Sequence, residues 1–106
     1  MIHYNKLAFD FSPAPIVVLS NRHMVEMNHA FAQMFGYERE ELLHHSIIKI
    51  FPSIEDYEKV GNDALQSLLQ KNSLHYSDQR FMQHKSGEIF WTHTHGRTLP
   101  LKILFN

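Results

Sequence analysis

Apolar residues follow different spacings along this chain, and the changes of spacing mark its elements. Residues 16–20, "IVVLS", form a short β-branched run behind Ser12-Pro13-Ala14-Pro15. The two prolines remove backbone donors and bias their neighbours away from the α region, so 16–20 reads as a strand. Asn21-Arg22 reads as a tight turn and residues 23–27, "HMVEM", as a second strand, making 16–27 a hairpin.

At Asn28 the spacing becomes helical. In "NHAFAQMFG" the large apolar residues Phe31, Met34 and Phe35 stand at i, i+3 and i+4, with Asn28 placed as N-cap and Gly36 as the C-terminal stop. "EREELLHHS" carries acidic residues in its first turn, which suits the positive end of a helix dipole, with Leu42 and Leu43 as the buried side. Residues 47–57 mix apolar residues with Pro52 and read as a loop plus one helical turn. Val60, Ala64, Leu65, Leu68 and Leu69 then repeat at helical spacing to about residue 71, predicting the longest helix.

From residue 74 the spacing is two. "LHYSDQRFMQH", a "KSG" turn and "EIFWTHTHG" predict a second hairpin of long strands, and "LPLKILF" offers a fifth strand. Two strands, several short helices, one long helix and two or three antiparallel strands make an α+β domain with its helices gathered on one side of a sheet.

Composition narrows the function. A chain of 106 residues, 43% hydrophobic, fits one domain with one core. Ten Lys and Arg against eleven Asp and Glu leave a formal net charge of -1, so no whole-chain field draws nucleic acid or an acidic membrane. No cysteine is present, which excludes disulfides, thiolate metal sites, cysteine nucleophiles and cysteinyl chromophores. The N-terminus lacks a basic region followed by an apolar core, so we read a soluble, cytoplasmic chain with no membrane contact. No G-x-S-x-G, phosphate-binding glycine loop or H-E-x-x-H occurs, so the pattern is not that of an enzyme.

In order and spacing, "FSPAPIVVL", "N-x-A-F" at 28–31, "FGYEREEL" at 35–42 and "HKSGEIFW" at 84–91 make the sequence resemble a PAS domain, a sensor module of signalling proteins. The resemblance runs over about residues 9–99. It implies a PAS-like fold: an antiparallel sheet of about five strands in the order 2-1-5-4-3, with short helices and one longer helix on one face. Asn28, Gly36 and Gly87 fill fold-keeping places in it. Two departures stand out. Where the family often has Gly after "EELL" this chain has His44, so that helix either ends differently or runs on through His45. The family's full fifth strand and "D-I-T"-like connector are missing before Asn106, so either the last strand is abbreviated or the chain is a fragment; the favoured reading is a single PAS domain of a longer protein with a C-terminal output domain.

Nine histidines give metal a hearing. His93 and His95, at i and i+2 of a strand, point to one face and offer two imidazoles; His84 and His75 are the candidates for further ligands. Alternation puts Phe90, Thr92 and Thr94 on one side and Ile89, Trp91, His93 and His95 on the other. Since residues matching Thr92 and Thr94 face the ligand cavity in flavin-binding relatives, the resemblance turns Trp91, His93 and His95 outward. They are the candidate dimer interface, with Trp91 as anchor, and no metal site is expected. Haem-binding relatives use an axial histidine on the long helix, absent from "EKVGNDALQSLLQK", and photoactive flavin relatives need a cysteine. No cofactor is therefore required, although non-covalent flavin stays open.

The same resemblance turns Tyr76, Asp78, Arg80 and Met82 inward. Asp78 and Arg80 are costly to bury unless paired or liganded. They either brace the sheet as an internal ion pair or orient a small ligand in a pocket lined by Phe31, Phe35, Leu65, Met82, Phe90 and Thr92. The expectation is a sensory or regulatory module that binds a small molecule and forms a homodimer through its sheet face and N-terminal segment. It would control an output domain, such as a LuxR-like DNA-binding domain or a diguanylate cyclase, without touching nucleic acid itself. The alternative is a ligand-free interaction and dimerisation module.

Overall fold

The computed structural model describes residues 6–71 and 75–97, with side chains over 6–66 and 77–96. A short helix, α1 (Lys6–Phe11), precedes the hairpin of β1 (Val17–Ser20) and β2 (His23–Met27). Helices α2 (His29–Phe35) and α3 (Arg39–Leu42), a 3-10 turn at Ile47–Ile50 and the long α4 (Ile54–Lys71) follow, then the hairpin of β3 (His75–Gln83) and β4 (Ile89–Arg97). Both hairpins are antiparallel. The fifth strand read at "LPLKILF", and with it the order 2-1-5-4-3, lies outside the described residues.

The first hairpin turns where expected. Asn21 and Arg22 both take positive φ, 52° and 61°, the two-residue turn that matches strand twist. Asn28 then ends β2 and starts α2. Fully buried at 0% exposure, it accepts from Phe31 N–H at 3.1 Å as N-cap and from Ile16 N–H at 2.9 Å through the same Oδ1. Its Nδ2 donates to the Ala14 carbonyl at 2.8 Å and its backbone N–H to that of Ile16 at 3.0 Å. One side chain thus joins the proline segment, β2 and α2.

Gly36 ends α2 with φ 78°, donating its N–H to the Gln33 carbonyl, and a Cβ there would strike the His84 imidazole. The β3–β4 turn docks at this spot: Lys85 N–H donates to the Phe35 carbonyl at 2.9 Å, and Lys85 Nζ pairs with Glu41 at 2.7 Å. That hydrogen bond holds the Glu41 carboxyl below and the Lys85 ammonium above its ordinary value.

Helix α3 stops at Leu42 and does not run on. His44 takes φ 69°, the left-handed conformation a glycine would adopt more cheaply. The chain leaving it bonds along the free edge of β2: His44 N–H to the Met24 carbonyl, Met24 N–H to that of His45, and Ile47 N–H to that of Arg22. This covers a strand edge that would otherwise be open. A pair between Glu26 and Arg39 ties β2 to α3. Burial pushes the Glu26 carboxyl up, but hydrogen bonds from Arg39 and the Met27 amide, with the Arg39 charge, outweigh it and hold the group below its usual value.

Among the described residues the core is Met24, Met27, Phe31, Phe35, Leu42, Ile47, Ile50, Phe51 and Met82, with Ala32. Met34, expected inside, is half exposed, and Ala32 takes its place on the buried side of α2. Leu42 is buried and Leu43 packs against the core, as the spacing predicts. The long helix begins at Ile54, earlier than its apolar repeat, because Ser53 caps it: Ser53 Oγ accepts from Asp56 N–H at 3.2 Å and donates to Asp56 Oδ2 at 3.0 Å.

Arg22 reaches across from the first hairpin onto α4. Its guanidinium lies 3.7 Å over the Tyr57 ring and donates to the Tyr57 carbonyl at 2.9 Å, in the space a Cβ on Gly61 would enter. Gly61→Ala, which in an ordinary helix gains about 1 kcal/mol, should here destabilise by about 1 kcal/mol because the guanidinium must leave. In an Arg22→Ala background it should stabilise again. Urea unfolding of the four proteins checks this double-mutant cycle, and additive effects would refute the stacking.

Candidate functional site

Strict register organises the second hairpin into two unlike faces. Arg80 pairs with Thr92, Phe81 with Trp91 and Met82 with Phe90, so partners directly across share a side. The inner face carries Asp78, Arg80 and Met82 from β3 and Phe90 and Thr92 from β4. Met82 and Thr92 are buried, and the other three are half buried. Tyr76, placed on this face by the resemblance, pairs with Gly96, and its side chain lies outside the described residues.

Asp78 and Arg80 meet on that face. Arg80 Nε donates to Asp78 Oδ2 at 2.7 Å, Nη2 bonds the same oxygen, and each side chain is only 16% exposed. The guanidinium stands 5.8 Å from the Phe51 ring, and Thr92 Oγ1 donates to the Arg80 carbonyl at 3.0 Å. An ion pair of this kind, set among aromatic groups, is held by geometry and loses much of its solvation. In the core Phe31, Phe35 and Phe90 make a run of tilted ring contacts, with centroids 5.0 Å apart for the first pair and 5.5 Å for the second. Met82 packs in the same core. The predicted pocket residues Phe31, Phe35, Asp78, Arg80, Met82, Phe90 and Thr92 therefore lie on or against one surface.

One predicted member, Leu65, does not, and Thr94, across from Asp78 on the same face, is uncovered. Leu65 is 53% exposed: it stands on a side of α4 turned away from the core, while among the described side chains of α4 Tyr57 and Val60 pack on it. Thr94, which alternation turns inward, is exposed, and among the described residues the buried part of this face is at Met82 and Thr92, with Phe90 packed against the core. Two surface clefts, of about 300 and 340 Å³, lie instead among α1, α2 and α3. His29 and Arg39 line both, and neither includes a residue of the inner face.

The outer face is unlike either. From β3 it presents Ser77, Gln79, Phe81 and Gln83, and from β4 Ile89, Trp91, His93 and His95. Phe81 and Trp91 meet edge to face at 4.8 Å while remaining 55% and 56% exposed. Phe81 was not among the residues singled out in the sequence; counting back from the "KSG" turn to the residue opposite Trp91 finds it. The His93 and His95 rings lie 4.4 Å apart. Among the described residues no three histidine, aspartate or glutamate side chains gather at one point. His84 is engaged elsewhere, accepting from Ser86 N–H at 3.0 Å, and the His75 side chain lies outside the described residues.

Removing one member of the Asp78–Arg80 pair strands the other in a poorly solvated place. Arg80→Ala should destabilise the fold by about 3 kcal/mol, and a double change to Asp78→Leu with Arg80→Met should recover at least half of that loss. Denaturant midpoints at constant m-value read this, and a single-variant cost no larger than that of an exposed pair would show the pair to be solvated.

The hairpins, the capped helix between them and the half-charged inner face coincide with a known module. The family profile described as PAS domain matches residues 13–102. The structure superposes, with a TM-score of 0.82 and 32% identity over 92% of this chain and 84% of the other, on the PAS domain of a LuxR-family transcriptional regulator from Burkholderia thailandensis, solved in complex with ethanol. A PAS domain from Colwellia psychrerythraea shares the fold at a TM-score of 0.75 and 21% identity, over 85% and 75% of the two chains. A sensor protein, TdiS of Thauera aromatica, is 28% identical over 86 residues, which are 81% of this chain and 15% of that protein's length. Among the described residues no helix is long and apolar enough to cross a membrane. The chain belongs to the PAS domain family.

Proposed function

We propose that this PAS domain is a non-catalytic sensory module that holds a small, hydroxyl-bearing molecule against the inner face of its second hairpin. It passes the resulting conformational bias to a C-terminal output domain. Because the chain corresponds to 15% of the sensor protein it resembles, the output is supplied by other residues. A LuxR-type DNA-binding domain is the reading favoured by the 32% identical relative. The module works as a pair of chains and requires no haem, covalent flavin or metal.

The observation that carries this reading is the Asp78–Arg80 pair, a polar group built into the inner face beside Thr92. Arg80 offers donors, and Asp78 acceptors, to a hydroxyl on the inner face. The relative solved with ethanol supports a ligand of that size. Binding shifts the output only through a difference in affinity between two conformations. A second reading, a ligand-free interaction module, is favoured by the contact among Phe31, Phe35 and Phe90, which fills space a ligand would need.

Titration of the isotope-labelled chain with ethanol, followed by amide NMR, separates the two. A ligand site predicts saturable shifts confined to the amides of Arg80, Met82, Phe90 and Thr92, weakened in Arg80→Gln. Shifts that are linear in ethanol and spread over the whole surface would leave only the ligand-free module.

A further inference from the structure

His93 and His95 stand two residues apart on the outer face of β4, and both are exposed. Their ring centroids lie 4.4 Å apart with the planes tilted by 40°, so the rings neither stack flat nor turn away from each other. That separation has a chemical meaning. Two imidazoles that bind one ion at neighbouring positions, each through a nitrogen at about 2.0–2.1 Å, hold their centroids roughly 4.5–5 Å apart. The strand therefore sets the pair close to the spacing an ion requires, and side-chain rotation alone closes the difference.

The surroundings are neutral. Across the hairpin Ser77 pairs with His95 and Gln79 with His93, and Ser77 Oγ lies 3.4 Å from His93 Nε2. Every outward position from Ser77 to His95 is something other than Asp, Glu, Lys or Arg. Along this stretch of the face no like charge repels a dication, and no carboxylate offers it a hard ligand.

We infer that His93 and His95 form a bidentate site for a divalent transition-metal ion, with Ser77 Oγ as a neutral oxygen beside it. The ligand chemistry selects the ion. Imidazole nitrogens without carboxylates favour copper, nickel and zinc over magnesium and calcium, and Cu²⁺ binds such a pair most strongly. Two protein ligands leave the remaining positions to water or to a group from solution, so the ion is exchangeable and is not a structural metal. The sequence pattern, which supplies only two histidines at this place, predicts no metal; the ring separation is what makes the two a chelate. The site is complete within one chain and independent of the inner-face ligand, which needs no metal.

The whole chain, carrying no affinity tag, is titrated with Cu²⁺ at neutral pH while Trp91 fluorescence is followed. Trp91 is the single tryptophan and precedes His93 by two positions on the same face, so a copper ion held there quenches it. The wild type should quench saturably, with one ion per chain accounting for the change. His93→Gln and His95→Gln should each raise the dissociation constant about tenfold or more, because the remaining imidazole loses the partner that the strand holds beside it. His29→Gln and His45→Gln, exposed histidines elsewhere in the chain, should leave the constant unchanged. Folding of each variant is read from its circular dichroism.

Quenching that stays linear in Cu²⁺ overturns the inference, and so does saturable quenching that is the same in both β4 variants as in the wild type. An effect confined to one of the two variants would mean a single ligand and no chelate, and overturns it as well.

Discussion

Everything in this domain hangs from the side chain of Asn28. A buried amide with no water must find its partners in the protein or cost about 1–3 kcal/mol for each one missing. Asn28 finds them on both sides of the corner. Its Oδ1 takes the Ile16 and Phe31 amides and its Nδ2 reaches the Ala14 carbonyl. The N-terminus of a helix and the segment entering the first strand thus share one oxygen. The direction of α2 follows from that, and with it the placing of Phe31 and Phe35 in the core.

From α2 the order passes to the second hairpin. Phe35 touches the Phe90 ring, Gly36 gives room to His84, and Lys85 bonds the Phe35 carbonyl and the Glu41 carboxylate. The turn of the long hairpin is therefore clamped to the end of the capped helix. This fixes which face of β3 and β4 looks inward. The inner face keeps one polar pair, Asp78 with Arg80, beside the Phe51 ring. The outer face keeps Phe81 and Trp91 more than half exposed.

Much of this fold is legible in the sequence. Both hairpins, the capped helix and the glycine stop follow from spacing and turn chemistry, since these are local rules with short range. The start of α4 was equally local but depended on a Ser53-x-x-Asp56 cap that apolar periodicity does not see. Met34 and Leu65 show where periodicity runs out: each continues a helical repeat, yet only the neighbouring elements decide how wide the buried stripe is, and on α2 Ala32 fills the contact instead. His44 is a different case. A histidine in a left-handed conformation is set by the bonds its backbone makes to β2, a tertiary constraint that overrides residue preference. The stack of Arg22 on Tyr57 beside Gly61 had no local signal at all.

The central claim, that one side chain couples the entry segment to the helix behind it, has a direct readout in amide hydrogen exchange at Ile16 and Phe31. Both amides donate to Asn28 Oδ1. If Asn28 joins the two segments into one cooperative unit, the two amides open together, with exchange free energies within about 0.5 kcal/mol of each other and close to that of global unfolding. An Ile16 amide that exchanges orders of magnitude faster than that of Phe31 would contradict the account, because the entry segment would then open while the helix stays capped.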